Sequence, residues 1–366
     1  MTSPSTLRSK EISSAWAPHG ERLAPASVCD LAVIVVSAND AHWLKPCLTS
    51  VFAHAGTAKL DVIVVDNGSS DETREVVEAN FPQARVIGAQ NHGFGAGNNR
   101  GLETTNARYA LLLNPDTEIL EGLFSELVAL LDRRPDVGLI GVRQLTPDGV
   151  LFPTIRRFPS ASRALGEALA SERWPLRPAW AGERVLDPQA YAGESECDWT
   201  SGSFMLARRE ALLSAGLLDE RYFLYAEEPD LCLRIKRAGW SVRHMPDMTI
   251  LHHACKGGLR PRMVAQEAFA RRQYAQKHFA KPHQALYLSA IGARHLIRAA
   301  VASFGENRKT HREAARRAIA NLRGRGEPPF APPPATALRP DTAPVPGPAG
   351  APSEPAPPEP SRPATS

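Results

Sequence analysis

The sequence predicts an α/β fold with a mostly parallel central sheet flanked by helices and a helical extension at its C-terminal end. Short apolar runs rich in β-branched residues stop abruptly at polar groups, stretches of helical pattern separate one run from the next, and a basic segment follows the last of them. Uninterrupted apolar runs suit strands covered on both faces, and their alternation with helices implies right-handed βα crossovers.

The first run, Leu31 to Val36, ends at Ser37-Ala38-Asn39-Asp40. A helical stretch from Leu44 to about His54 leads to Asp61-Val62-Ile63-Val64-Val65, which ends at Asp66-Asn67-Gly68-Ser69-Ser70-Asp71. Ser70, Thr73 and Glu75 open a helix to Asn80; Arg85-Val86-Ile87 is a short third strand and Tyr109 to Leu113 a fourth. In such sheets ligands gather outside the carboxyl ends of the strands, so the polar residues closing each run are candidate site residues: Ser37 and Asn39, Asp66 and Asn67, and Asn114 and Asp116. A carboxylate such as Asp66 can accept from the imide N–H of uracil or thymine, or simply close an Asx turn. Asp116, directly after Leu111-Leu112-Leu113-Asn114-Pro115, either caps a helix from Glu118 to Leu130 or ligates a divalent cation; oxygen ligands favour Mg²⁺ or Mn²⁺ over zinc.

Asn91-His92-Gly93-Phe94-Gly95-Ala96-Gly97-Asn98-Asn99-Arg100-Gly101 is not a dinucleotide fingerprint, because its spacing is G-x-G-x-G and it follows the third strand rather than the first. It is a glycine-permitted loop whose following helix turns N–H groups toward an anion or sugar, with Asn91, Gly93, Phe94, Gly97 and Asn98 as donor-binding candidates.

Beyond Val142 the sequence turns irregular. Arg156 and Arg157 could meet an acceptor diphosphate, but read first as solvated surface cations. Asp198 to Met205 precedes a helix from Arg208 to Ala215, and Gly202 would let backbone approach a sugar, with Trp199 and Ser201 beside it. In Tyr225-Ala226-Glu227-Glu228-Pro229-Asp230-Leu231, Pro229 suits the first position of a helix that Gly239 ends, which places Glu228 at the N-cap. A carboxylate there is favoured in its ionised form. Downstream, His252-His253 closes another strand and can serve a metal or a diphosphate oxygen; zinc is discounted for want of a fourth ligand.

The net charge of +4 hides an asymmetry, with residues 256–326 at +13 and the remainder at −9. From Ala285 to Phe304 the residues Leu286, Ala290, Ala293, Ile297, Ala300 and Phe304 form an apolar stripe, suited to docking on the body or to an anionic membrane surface. Nucleic-acid binding is not expected, since interleaved aromatics and a reading motif are missing. Cys29, Cys47, Cys197, Cys232 and Cys255 lack C-x-x-C spacing and read as reduced thiols. Residues 1–29 read as a loose leader unlike a signal peptide, and 327–366, holding fifteen of the 32 prolines, as a disordered tail. With no run of the roughly 20 apolar residues a spanning helix needs, the expected location is cytoplasmic, or peripheral at the inner face of the plasma membrane.

Val33 to Asn39, Val62 to Asp71, the Asn91 to Gly101 stretch and Leu112 to Thr117 together resemble family 2 glycosyltransferases, especially the rhamnosyltransferase-like branch of bacterial cell-surface polysaccharide synthesis. The resemblance implies a GT-A-type nucleotide-diphospho-sugar transferase fold spanning residues 30–258, with a nucleotide-sugar half (30–142), an acceptor half (143–258) and a basic extension (259–326). It matches Asp66 to the base-binding acid, Asp116 to the metal-binding acid of a D-x-D element in which Asn114 replaces the first acid, and His252 to a histidine near the metal. Tyr225 to Cys232 resembles the E-D-x-D motif, with Glu228 as general base and Glu227 and Asp230 on the acceptor side. The implied activity is inverting and dependent on Mg²⁺ or Mn²⁺. L-rhamnose from dTDP-L-rhamnose would pass to a polyprenyl-diphosphate-linked glycan; a UDP-hexose donor and a non-catalytic sugar-nucleotide or lipid-binding scaffold are the rivals.

Overall fold

Alternate residues of the first strand serve two different cores, and this organises the molecule. In β1 (Leu31–Ser37), Leu31, Val33 and Val35 join one buried cluster while Ala32, Ile34 and Val36 join another on the opposite face. A strand covered on both sides has no polar face to show, hence the unbroken apolar run. The structure is a computed structural model and describes residues 29–169, 178, 180–253, 260–301, 308–326 and 329–330. The expected leader and most of the proline-rich segment lie outside the described residues, as does Cys255; Cys29, Cys47, Cys197 and Cys232 are free thiols.

The first half follows the expected βα series: β1, α1 (Ala41–Ala53), β2 (Leu60–Asp66), α2 (Thr73–Asn80), β3 (Arg85–Gly88), α3 (Phe94–Glu103) and β4 (Tyr109–Leu113). These four strands are parallel, in the order β3-β2-β1-β4. The expected loop before α3 is shorter than the sequence suggested, because the helix itself contains Gly95, Gly97 and Gly101. A Cβ at Gly97 would lie 2.7 Å from Val36 Cγ1, and one at Gly101 2.6 Å from Ile34 Cγ2. Those two glycines seat α3 directly on β1.

The second half departs from a parallel arrangement. Its elements are β5 (Thr117–Glu121), α4 (Phe124–Arg133), β6 (Val137–Leu145), β7 (Leu151–Phe152), α5 (Ala161–Leu169), β8 (Ser195–Glu196), β9 (Phe204–Arg208), α6 (Arg209–Ser214), α7 (Glu227–Arg237) and β10 (Ser241–His252). β9 enters between β4 and β6 and runs against both, and β5 runs against β10, so the sheet is mixed beyond β4. The helix expected from Glu118 is instead β5, paired to β10 and ended by Gly122 at φ +90°, where a Cβ would lie 2.6 Å from Asp247 O. Asp116 therefore caps no helix.

Three further helices follow: α8 (Pro261–His278), α9 (Lys281–Val301) and α10 (Arg308–Leu322). α8 is fastened to the body by buried charge. Asp230, fully buried, accepts from Arg234 through Oδ2 and meets Lys277 and His278 through Oδ1 at 2.7 and 2.6 Å. Arg271 pairs with Glu183 at 2.6 Å and Arg294 with Glu167 at 2.8 Å, tying α8 and α9 to the segment around α5. α9 packs with an unexpected face. Tyr287, Ala290, Ile291, Arg294 and His295 turn inward, while Leu286, Leu296, Ile297 and Val301 remain 62, 57, 38 and 70% exposed. The polar residues go inside because Glu167 and Glu267 supply carboxylates for Arg294. Among the described residues no helix is long and apolar enough to cross a membrane.

Candidate active site

Strand register decides which side chains meet. β1 and β2 align Ser37 with Asp66, and β2 and β3 align Asp66 with Gly88, so three strands end level. β4 ends beside them, with Val35 opposite Leu113, and delivers Asn114-Pro115-Asp116 just beyond. Because β9 is antiparallel to β4, with Leu113 opposite Phe204, its preceding residues Ser201-Gly202-Ser203 start at that same edge. β10 brings His252 opposite Thr117 of β5, next to Asp116. Residues from distant parts of the chain thus share one edge.

Asp116 and His252 form a pair, with His252 Nε2 3.2 Å from Asp116 Oδ1. Asn114 Nδ2 lies 3.4 Å from the same ring nitrogen. On the other side of the ring, Gln144 Nε2 donates to Nδ1 at 2.9 Å, and Gln144 Oε1 accepts from Ser203 Oγ at 2.6 Å. Asp40 adds a further acid: burial pushes its carboxyl up, and the negative charge of Asp116 pushes in the same direction. His253 belongs elsewhere, bonded to Glu118 at 2.6 Å and stacked on Trp43.

The fit to a divalent cation follows from these donors. A carboxylate and an imidazole nitrogen 3.2 Å apart can share one ion, and hard oxygen with borderline nitrogen suits Mn²⁺ or Mg²⁺. Among the described residues no group of three His, Cys, Asp or Glu side chains could complete a cage. An ion bound here takes its other ligands from water or a diphosphate, as Mg²⁺ commonly does.

Glu228 stands in the first turn of α7, which begins at Glu227 after Ala226 in the left-handed region (φ +69°), so Glu228 is inside the helix and not at its N-cap. Its carboxylate accepts from the Gly202 N–H and lies over that glycine. Gly202 is thus adjacent to the acid, in addition to whatever approach it allows a ligand. Burial pushes the Glu228 carboxyl up, opposed by hydrogen bonds from its own and the Gly202 N–H groups and by the cation of Arg156. Glu227 is 2% exposed and its Oε2 has no hydrogen-bond partner among the described residues; burial first, then the charge of Glu228, hold it well above the usual carboxylate range. Both carboxyls are held above their ordinary value, Glu227 the more strongly of the two.

The remaining expected residues divide into brace and surface. Asn39 (φ +65°) accepts from Ser70 N–H and Oγ, tying the end of β1 to the loop after β2. Asp66 Oδ1 accepts from Ser69 N–H at 2.9 Å, the Asx-turn alternative, while its side chain stays half-exposed at the strand edge. Asn67 Nδ2 donates to Asn91 Oδ1 and Gly93 O. Gly93 at φ +101° lets Phe94 N–H reach Phe223 O at 2.9 Å, and a Cβ there would lie 2.1 Å from that oxygen. Ser37 is wholly buried against Thr73, and Asn98 is wholly buried and donates to Phe94 O, so both support the loops from behind. Trp199 is 9% exposed and belongs to the core, its Nε1 donating to Arg157 O. Asp230 has both oxygens engaged by Arg234, Lys277 and His278 and offers nothing to a sugar.

Three contributors escaped the sequence. Arg156 is no solvated cation: its guanidinium lies 5.4 Å over the Trp199 ring, its Nε is buried, and burial lowers its pKa to about 10. Gln144 sits at an apolar strand's end and Asp40 in a turn, where only a three-dimensional neighbour gives them meaning. Trp199 stands 43 residues beyond Arg156 in the chain, so nothing local in the sequence signalled that stacking either.

The fold and site define a GT-A glycosyltransferase. The chain belongs to glycosyl transferase family 2: the sequence profile of that family matches residues 32–184, and the chain is 32% identical over 239 residues to the N-acetylglucosaminyl-diphospho-decaprenol L-rhamnosyltransferase of Mycobacterium tuberculosis, covering 61% of this chain and 76% of the relative. It is 23% identical over 230 residues to the rhamnosyltransferase WbbL of Escherichia coli, covering 61% of this chain and 83% of that one. In structure it resembles GalNAc-T7, solved with UDP, GalNAc and Mn²⁺, at a TM-score of 0.54 and 12% identity over 79% of this chain and 55% of that one; this likeness concerns the fold.

Proposed function

We propose that the chain is an inverting, cation-dependent rhamnosyltransferase of cell-envelope glycan synthesis, taking L-rhamnose from dTDP-L-rhamnose to a hydroxyl of a polyprenyl-diphosphate-linked glycan. The observation that carries the reading is the linkage of two acids at one sheet edge: Asp116 to His252, His252 to Gln144, Gln144 to Ser203, and the adjoining Gly202 to Glu228. The names of the M. tuberculosis and E. coli relatives support the choice of rhamnose, and the decaprenol-linked substrate of the former supports the acceptor class.

In this reading Asp66 accepts from the pyrimidine imide and Asn39, Asn67 and Asn91 hold the loops around the base. Asp116 and His252 would hold a divalent cation, which would offset the charge developing on the leaving diphosphate. Glu228 removes the proton from the acceptor hydroxyl. As its oxygen bonds to the anomeric carbon, the carbon–oxygen bond to the diphosphate breaks from the opposite face and the electron pair leaves with the diphosphate. Glu227 stays protonated and keeps a second negative charge away from the base. The outward apolar stripe of α9, with exposed Arg308, Lys309, Arg312 and Arg316 on α10, suits contact with an anionic membrane surface where a lipid-linked acceptor resides.

The test is transfer by purified protein from dTDP-L-rhamnose, UDP-glucose and UDP-galactose to a polyprenyl-diphosphate-linked N-acetylglucosamine, with and without EDTA. Rhamnose transfer that EDTA stops and Mn²⁺ restores is expected. Transfer from a UDP-hexose alone replaces the donor, and binding without transfer from any donor replaces the enzyme with a scaffold.

A further inference from the structure

Gln144 is wholly buried behind His252, where β6 passes the start of β9. Its two amide atoms are used in opposite senses. Nε2 donates to His252 Nδ1 at 2.9 Å, and Oε1 accepts from Ser203 Oγ at 2.6 Å, which is itself 3.2 Å from Ser201 Oγ. With Nδ1 accepting, the proton of a neutral ring is on Nε2 and faces Asp116 Oδ1 at 3.2 Å, the shorter of that nitrogen's two polar contacts with Asp116 and Asn114. His252 is therefore held as a donor to the carboxylate.

A cation taken by His252 through Nε2 requires the other tautomer. Neutral imidazole can leave Nε2 bare only by carrying its proton on Nδ1, and Nδ1–H then needs an acceptor where it now meets a donor. A leucine or methionine at 144 could serve neither state, and a glutamate would serve one. A carboxamide serves both, because a half-turn about its last torsion exchanges an oxygen and a nitrogen of similar size and reach. After that turn Oε1 accepts from Nδ1–H and Nε2 donates to Ser203 Oγ. The Ser203 hydroxyl, no longer needed as a donor to Gln144, directs its proton to Ser201 Oγ.

We propose that Gln144, backed by Ser203 and Ser201, is a positioning residue whose amide orientation follows the tautomer of His252, letting that ring face Asp116 without a cation and ligate one when it arrives. The proposal rests on the reading of His252 as a cation ligand, and the experiment separates the two.

Mn²⁺ alone is titrated into the full chain and followed by water-proton relaxation for the unmodified protein and for Gln144→Met, Gln144→Glu and His252→Ala. Loss of an outer-shell partner of a metal ligand weakens affinity about 10- to 100-fold, and Gln144→Met should fall in that range. Gln144→Glu, which accepts at Nδ1, should bind Mn²⁺ at least as well as the unmodified protein; a merely structural role would make the buried charge the worse substitution. On the unmodified, histidine-labelled protein, ¹⁵N NMR should show the His252 proton on Nε2 without Mg²⁺ and on Nδ1 with it, a readout that does not depend on any variant folding. Equal Mn²⁺ affinity in Gln144→Met and unmodified protein, or an Nε2 proton that Mg²⁺ does not move, overturns the relay. Equal affinity in His252→Ala and unmodified protein removes the cation reading, and the relay with it.

Discussion

Gly202 lies directly beneath the carboxylate of Glu228: a Cβ at position 202 would come 2.7 Å from Oε1 and 3.1 Å from Cγ. An alanine there must push the acid aside. The three atoms nearest to that Cβ all belong to Glu228, and the backbone of Gly202 is not in the left-handed region, so the chief consequence falls on the position of the base. Misplacement by about 1 Å can cost on the order of 10²-fold in rate. Gly202→Ala should therefore lower kcat by about that factor, with a thermal melt close to that of the unmodified protein. Unchanged turnover would mean that Glu228 is not where the proton goes.

The two adjacent glutamates should behave unequally. Glu228→Gln removes the proposed base and should cost about 10²–10⁴-fold in kcat. Glu227→Gln imitates the protonated acid that burial and the charge of Glu228 favour, and should keep most of the activity. The acid limb of kcat/KM reports the ionisation of the base in the free enzyme, and burial raises the Glu228 carboxyl above its ordinary value. Activity should thus fall with decreasing pH at a midpoint above that of an ordinary glutamate. The opposite order of the two variants would transfer the role to Glu227.

Much of this was legible in the sequence for a specific reason. Buried parallel strands carry continuous apolar runs, so β1, β2 and β4 announced themselves, and the polar residues after each run stood at the edge where ligands gather. What was not legible depended on contacts across the sheet. The antiparallel insertion of β9 turns Ser203 toward Gln144, a pairing of residues 59 apart that no local pattern encodes. Asp230 looked like part of an acidic site motif, and its true partners Lys277 and His278 lie on another helix. The docking alternative for the α9 stripe failed for a related reason: its periodicity was correctly helical, but carboxylates from α5 and α8 drew Arg294 inward and turned Leu286 and Ile297 out.

Asp230 predicts a stability effect without a chemical one. Burial alone would raise its carboxyl, but the hydrogen bond from His278 and the charges of Arg234 and Lys277 hold it well below the usual range. A depressed carboxyl contributes stability that is complete above the unfolded value, about pH 4, and is lost as pH falls toward the folded value. Asp230→Asn leaves buried cations without their counter-charge and should cost about 3–5 kcal/mol at neutral pH. Its melting temperature should also change less between about pH 5 and pH 2 than that of the unmodified protein. Parallel acid profiles for the two proteins would show that the Asp230 cluster carries no linkage.

The exposed stripe of α9 makes the last prediction. From Leu286 to Val301 it runs about 22 Å at 1.5 Å per residue, long enough to lie in a bilayer interface and too short to span one. The surrounding segment, 256–326, carries a net +13, and each Lys or Arg close to an anionic surface contributes about 1 kcal/mol to its attraction. The full chain should float with vesicles containing phosphatidylglycerol and remain behind with pure phosphatidylcholine. Leu286→Glu with Ile297→Glu places two charges on residues that are 62 and 38% exposed, where folding should tolerate them, and should abolish flotation. Turnover of a water-soluble acceptor analogue should be unaffected, because neither residue adjoins Asp116 or Glu228, whereas turnover of acceptor embedded in vesicles should fall. Flotation that survives both substitutions would place the membrane contact on another surface of the protein.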